Sequence, residues 1–251
     1  MPHRLLFDPA LLPIEAFDAS GAAPLAPVPL AELDADALRR RFSAAASLRW
    51  APEQAEAAWR GDPERRTGLR AAAVLVPMVT REAGLTVLLT HRAAHLTDHA
   101  GQISFPGGRC DPEDRDVTAT ALREAWEEIA LDARHVEPLG TMPEYVTGTG
   151  YAVTPVVALV HPPFDVHPAE REVAECFEVP LAFLMDPSNH QLRVYQPPAP
   201  QPGVTPSQDP SANVARRFFS MPYPRSDGEG EHFIWGATAG MLRNLYRFLS
   251  A

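Results

Sequence analysis

The sequence predicts an α/β fold of the α+β or α/β/α sandwich kind, built on a mixed β-sheet. Three features of the chain point to it. The apolar run AAAVLVPMV (71–79) and the segment LTVLLTHR (85–92), joined by the turn Arg81–Gly84, read as a hairpin of buried strands. A helical pattern spans Asp116–Leu131 and another closes the chain at Ala237–Leu249. Further strands are scattered among these without the strand–helix alternation of a doubly wound sheet.

Residues 1–28 are rich in Pro and Ala and are expected to be extended or poorly ordered. Leu30–Phe42 has apolar spacing near 3.6 and predicts a helix, and Pro52–Arg60 is a weaker helix ended by Gly61–Asp62–Pro63. Residues 1–69 thus form an N-terminal, partly helical extension that covers a sheet edge or helps build a homodimer. The main domain is expected over 70–251. Ile103–Phe105 is a short strand ahead of a Pro-Gly-Gly loop. Val136–Tyr145 and Ala152–Val160 flank the turn Thr147–Gly150. Cys176–Val179, Gln191–Tyr195 and His232–Trp235 are short strands. Residues 197–213 carry six Pro and few large apolar residues, so they read as a surface loop or disordered insert.

Composition removes several classes of function. The chain has 251 residues, 45% of them apolar, enough for a real core. With 32 acidic against 22 basic residues the net charge is −10, which argues against general binding to nucleic acid or an anionic membrane. A local basic pocket for one small anion is compatible with this. Every Lys/Arg position is Arg, so chemistry that needs a Schiff-base or P-loop lysine is excluded. Cys110 and Cys176 make neither a disulfide framework nor a zinc cluster. No secretory signal or membrane-length apolar run is visible, and a cytoplasmic protein with a small-molecule substrate is expected.

The chemistry concentrates in FPGGRCDPEDRDVTATALREAWEEIAL, Phe105–Leu131. On a helix at about 100° per residue, Leu122, Ala125, Trp126 and Ile129 are expected to face the core. Glu124, Glu127 and Glu128 are expected on the opposite face, with Arg123 at its edge. Each close carboxylate pair costs the helix about 0.2–0.5 kcal/mol, which a hard divalent cation such as Mg²⁺ or Mn²⁺ removes. Alone, such a trio is more often a solvated face paired to Arg. The Gly107–Gly108 loop ahead of it, with Asp111 and Asp114 between, lets backbone and carboxylates converge on a metal and a bridging diphosphate.

These residues resemble the Nudix hydrolase signature, from Gly108 through Arg123, Glu124, Glu127 and Glu128. Asp114 stands where Glu is general, the Gly108–Arg123 spacing is one residue longer, and Ala130 replaces the usual Gly. With LLTHRAAHLTDHAGQISFPGG (88–108), these departures resemble the coenzyme A diphosphatase subgroup. Thr90, Arg92, Leu96, His99, Gly101, Gln102 and Phe105–Gly108 fit that element. GYAVTP (150–155), EVAECFEVPL (172–181) and IWGATAG (234–240) fit downstream. Thr97 stands where the subgroup often has Arg.

The resemblance implies a Nudix α/β/α sandwich and metal-dependent cleavage of the coenzyme A diphosphate. Its products would be 4′-phosphopantetheine and adenosine 3′,5′-bisphosphate. Glu124, Glu127 and Glu128 are the expected metal ligands for Mg²⁺ or Mn²⁺, with Asp114 supporting and the Gly108 carbonyl adding a ligand. Arg123 is expected to orient a glutamate. A helix glutamate or Glu172 serves as base. Arg92, His99, Gln102, Gly107 and Gly108 are candidates for substrate contact, with packing or a surface ion pair as the alternative for His99 and Arg92. Trp126 reads as core and Trp235 as core or pocket lining. Competing substrates are ADP-ribose, a dinucleotide or a nucleoside triphosphate, and a competing class is a nucleotide-binding module without turnover.

Overall fold

The computed structural model describes residues 8–15, 25–53, 68–96, 101–197 and 215–251. In chain order it contains Ile14–Glu15 (β1), Ala35–Ser43 (α1), Arg70–Arg81 (β2), Gly84–Arg92 (β3), Ile103–Ser104 (β4) and Gly107–Arg109 (β5). The acidic helix Val117–Ile129 (α2) follows, then Val136–Thr141 (β6), Tyr145–Val146 (β7), Tyr151–Val160 (β8) and Val173–Pro180 (β9). Leu181–Leu184 (α3), Gln191–Tyr195 (β10), Arg216–Pro224 (β11), Glu231–Trp235 (β12) and Gly236–Leu249 (α4) complete it.

The first sheet is mixed, in the order β4-β3-β2-β8-β6, with β5 on β2, β7 on β8 and β9 on β3. Its parallel pair is β2 with β8, in register from Arg70 opposite Tyr151 to Val79 opposite Val160. The predicted β2–β3 hairpin is antiparallel, with Arg81 opposite Gly84. Strand β2 is apolar throughout because both of its faces are covered. Ala73, Leu75 and Val79 meet Ala121, Ala125 and Ile129 of α2 on one side. Ala72, Val76 and Met78 join Leu242 and Leu245 of α4 with Leu38 and Phe42 of α1 on the other. The result is the expected α/β/α sandwich. A second, antiparallel sheet, β1-β10-β11-β12, adds Met221 and Ile234 to the α4-side core.

Several expectations are corrected. The N-terminal helix is shorter than Leu30–Phe42: Leu30–Glu32 is a 3₁₀ turn, and α1 starts only after Asp34, which accepts from the Ala37 amide at 2.7 Å. Residues 8–15 are ordered into a 3₁₀ turn and β1 rather than left loose. Val136–Tyr145 is two strands, interrupted after Thr141. Strand β11 carries no strand pattern in the sequence because Pro222 and Pro224 interrupt it, yet both keep register opposite Phe233 and Glu231. The predicted helix Pro52–Arg60 and the loop 197–213 lie almost wholly outside the described residues. No helix among those described is long and apolar enough to cross a membrane.

Candidate active site

Helix α2 is fixed at both ends by its own sequence. Asp116 caps its start, accepting from the Ala119 amide at 2.8 Å. Ala130 ends it at φ 55°, a left-handed position, with Ala130 N–H donating to Trp126 and Leu131 N–H to Ala125. That conformation is the physical reason for a glycine there, and alanine adopts it at a cost.

The helix is rotated from the predicted face. Thr120, Ala121, Ala125, Glu128 and Ile129 are buried, while Trp126 is 56% exposed and so is not core. The carboxylates are therefore not one exposed face. Glu127 points outward, Glu124 is half-buried, and Glu128 is only 3% exposed. The small side chains of Ala121 and Ala125 let the helix approach β2 closely, which turns Glu128 inward.

Gly107 and Gly108 are not a free loop. They form β5, paired with Val74 and Ala73 of β2. A Cβ on Gly107 would strike the Ala73 carbonyl and lie 2.5 Å from Val74 Cα. A Cβ on Gly108 would fall 2.5 Å from the Glu124 carboxylate carbon. The two glycines thus bring bare backbone against two glutamates: the Gly107 amide also donates to Glu128 Oε2 at 3.1 Å.

Arg123 ties the acidic groups together. Its Nε and Nη2 donate to Asp114 at 3.0 and 2.9 Å, and Nη1 donates to Glu124 at 2.9 Å and Glu127 at 3.2 Å. Asp114 also accepts from Thr120 Oγ1 at 2.8 Å and the Asp111 amide at 2.9 Å. Both of its oxygens are engaged, and these bonds, Arg123's first, hold its carboxyl well below the usual range. Arg92 reaches Glu128 at 3.3 Å through Nη1, and its buried Nε has no hydrogen-bond partner among the described residues.

Glu172 is brought in through the backbone. The loop before β9 closes the end of α2, with His167 N–H on the Ile129 carbonyl and Ala169 N–H on that of Glu128, at 2.9 and 2.8 Å. Glu172 N–H then donates to Ala169 at 2.8 Å, and its carbonyl accepts from Ala93 at 2.9 Å. Its exposed carboxylate acts electrostatically on both Glu124 and Glu128. Burial, followed by these like charges, pushes Glu128 up to about 7 despite Gly107 and Arg92, and burial raises Glu124 too.

Among the described residues no three His, Cys, Asp or Glu side chains already form a closed metal cage. The donor set nevertheless fits a hard divalent ion. Its oxygens are carboxylates penalised by burial and mutual repulsion, and the Glu124 carboxylate can lie against the β5 backbone only because Gly108 lacks a Cβ. Gln102 adjoins the cluster through its backbone, its carbonyl accepting from the Arg92 amide at 2.9 Å, and it lines a second cleft with Trp235. His99 lies outside the described residues. Cys110 and Cys176 are free thiols, and burial pushes Cys176 up to about 11.

The NUDIX domain profile matches residues 69–195, which contain this whole constellation. A protein of Escherichia fergusonii named uncharacterized Nudix hydrolase NudL is 40% identical over 178 residues, covering 70% of this chain and 81% of the relative. The chain belongs to the Nudix family. A NudL of Citrobacter koseri is 38% identical over 177 residues, covering 70% and 81%. The Nudix hydrolase RenU of M. Smegmatis, a solved structure, is 28% identical, covering 45% of this chain and 71% of its own, with a TM-score of 0.39. As a Nudix hydrolase the protein acts on diphosphate bonds of small nucleotide derivatives, a chemistry for which the family generally uses divalent ions.

Proposed function

We propose that the protein is a Mg²⁺- or Mn²⁺-dependent diphosphatase that cleaves coenzyme A to 4′-phosphopantetheine and adenosine 3′,5′-bisphosphate. The observation that carries the metal-dependent part is the bare Gly107–Gly108 backbone set against the Glu124 and Glu128 carboxylates. The choice of coenzyme A is supported by the 88–108 element, whose Arg92 leads directly to Glu128.

Glu124 and Glu128 would hold the ions, with Glu127 joining from the outer side of α2. A divalent ion held there would supply positive charge to the diphosphate and lower the pKa of a bound water. Arg123 keeps Glu124 and Glu127 in place, and Asp114 holds Arg123, so both act as positioning residues rather than at the reacting atoms. The buried Arg92 Nε leaves a donor for an anionic oxygen beside Glu128. Glu172, exposed and acting electrostatically on both glutamates, would accept the proton of the attacking water.

The test is a substrate panel of coenzyme A, ADP-ribose, NADH and a nucleoside triphosphate, with products identified by mass spectrometry. Coenzyme A is expected to be the preferred substrate and to give the two products named. Preference for ADP-ribose by orders of magnitude would replace the substrate, and nucleotide binding without turnover in either metal would remove the enzyme reading.

A further inference from the structure

We propose that a cleft on the other face of β3 from the glutamates receives the uncharged, amide-bearing arm of the substrate, a placement that rests on the diphosphatase reading above. The cleft, about 300 Å³, lies between the N-terminal segment, the Gly101–Ile103 stretch leading into β4, and the outer face of β12.

Its walls come from distant parts of the chain and are held firmly. Arg193, 8% exposed, donates through Nη1 to the carbonyls of Ala10 and Leu12 at 2.7 and 2.8 Å, while β1 pairs with β10. This pins Asp8 and Ala10 as one wall. Phe233 and Trp235, two apart on β12, present their rings from one face of that strand as another. His91 closes the end, with Nε2 3.1 Å from the Gly101 carbonyl oxygen.

Charge decides which part of the substrate suits it. The guanidinium in the lining, Arg225, is already matched by Glu175 at 3.2 Å and Asp227 at 3.1 Å. Asp8 and Glu231 add negative charge. A phosphate is disfavoured in such surroundings, whereas a neutral chain of amides can pack on the rings and exchange hydrogen bonds with the polar rim. The cleft adjoins the glutamates through Arg92: Gln102 lines the cleft, its carbonyl accepts from the Arg92 amide at 2.9 Å, and Arg92 reaches Glu128 at 3.3 Å. A molecule with its diphosphate at Gly107–Gly108 can therefore lay an arm past Gln102. Asp8, Ala10, Arg225 and β12 all lie outside residues 69–195, so this wall is where the chain can choose its substrate apart from the shared family core.

Pantetheine, the arm without phosphates, is the probe. It is titrated calorimetrically into the metal-free full-length protein, for wild type, Ala10→Trp to fill the cleft, and Phe233→Ala to remove a wall without adding bulk. Wild type is expected to bind pantetheine, and both variants to bind it about tenfold or more weakly. Coenzyme A turnover by Ala10→Trp should show the loss chiefly in KM. Absence of pantetheine binding to wild type, or equal binding by wild type and both variants, overturns the cleft assignment. Failure of the diphosphatase reading shows separately, as absence of coenzyme A turnover by wild type with Mg²⁺ or Mn²⁺.

Discussion

Glu128 on α2 and Arg243 on α4 lie on opposite sides of the first sheet, each 3% exposed, and their surroundings treat them differently. Arg243 is balanced. Its Nε donates to Glu53 at 3.1 Å, its Nη1 lies 3.1 Å from His190 Nδ1, and its guanidinium sits 5.2 and 5.1 Å from the rings of Phe219 and Tyr246. Glu128 has Arg92 and the Gly107 amide, but burial first, and then the like charges of Glu124 and Glu172, hold it up near 7. A buried charge with matched partners secures the scaffold, at a desolvation cost that removal of a partner makes worse. A buried charge crowded by its own sign is poised for a cation or a substrate.

The contrast breaks most sharply at the glutamates. Glu124→Gln and Glu128→Gln are each expected to lower metal-dependent kcat by about 10²–10³-fold. Melting temperature in metal-free buffer should hold or rise, because a disfavoured charge is gone. Steady-state kinetics beside thermal melts check both halves, and near-normal turnover in the two variants would remove them from the ligand set. Arg243→Met is the mirror experiment. It leaves Glu53 with Arg247 alone, at 2.7 Å, takes the donor from the buried His190 Nδ1, and should cost about 1–3 kcal/mol in urea denaturation, while kcat of the folded enzyme stays level. A fall in kcat at unchanged stability would mean that this side too belongs to the active site.

His190 sharpens the α4 side through pH. Burial, with Arg243 beside it, pushes its imidazole from the ordinary 6.5 down to about 4, although its bond to the Leu184 carbonyl opposes the shift. Between those values the unfolded chain binds the proton and the folded chain does not. Stability is therefore full above 6.5 and falls as pH drops towards 4. His190→Asn should flatten that slope, and parallel curves for wild type and variant would contradict the assignment. The smallest effect belongs to the α2 side. Ala130→Gly relieves the left-handed φ of 55° and should add up to about 1 kcal/mol of stability with unchanged kcat. A loss on urea denaturation would show that the Ala130 methyl contributes more by packing than it costs in strain.

The α2 side was readable from sequence because its parts are contiguous: a glycine pair, a capped helix and glutamates at helical spacing. What misled was side-chain size. Trp126 drew the predicted core face towards itself; Ala125 and Ile129 are buried as expected and Leu122 packs at the edge of that core, while Ala121 completes a sheet-facing stripe small enough for close helix–sheet contact. That rotation buries Glu128 and leaves Trp126 in solvent. The glycine pair was read as a loop because pairing with β2 is long-range and leaves no local pattern. Glu172 was singled out only by resemblance, since its approach depends on loop amides that cap α2. The cleft was mostly hidden for the same reason. Asp8, His91, Gln102, Arg225 and Trp235 are spread over the chain, and the sequence marks only Gln102 and Trp235 among them as candidates for substrate contact or pocket lining.

The most direct measurement is a Mn²⁺ titration, followed by electron paramagnetic resonance, of wild type, the Glu124→Gln/Glu128→Gln double variant and Arg243→Met. Wild type and Arg243→Met should bind the ion alike, and the double variant should lose it. Undiminished Mn²⁺ binding by the double variant would contradict the placement of the metal between α2 and the Gly107–Gly108 strand.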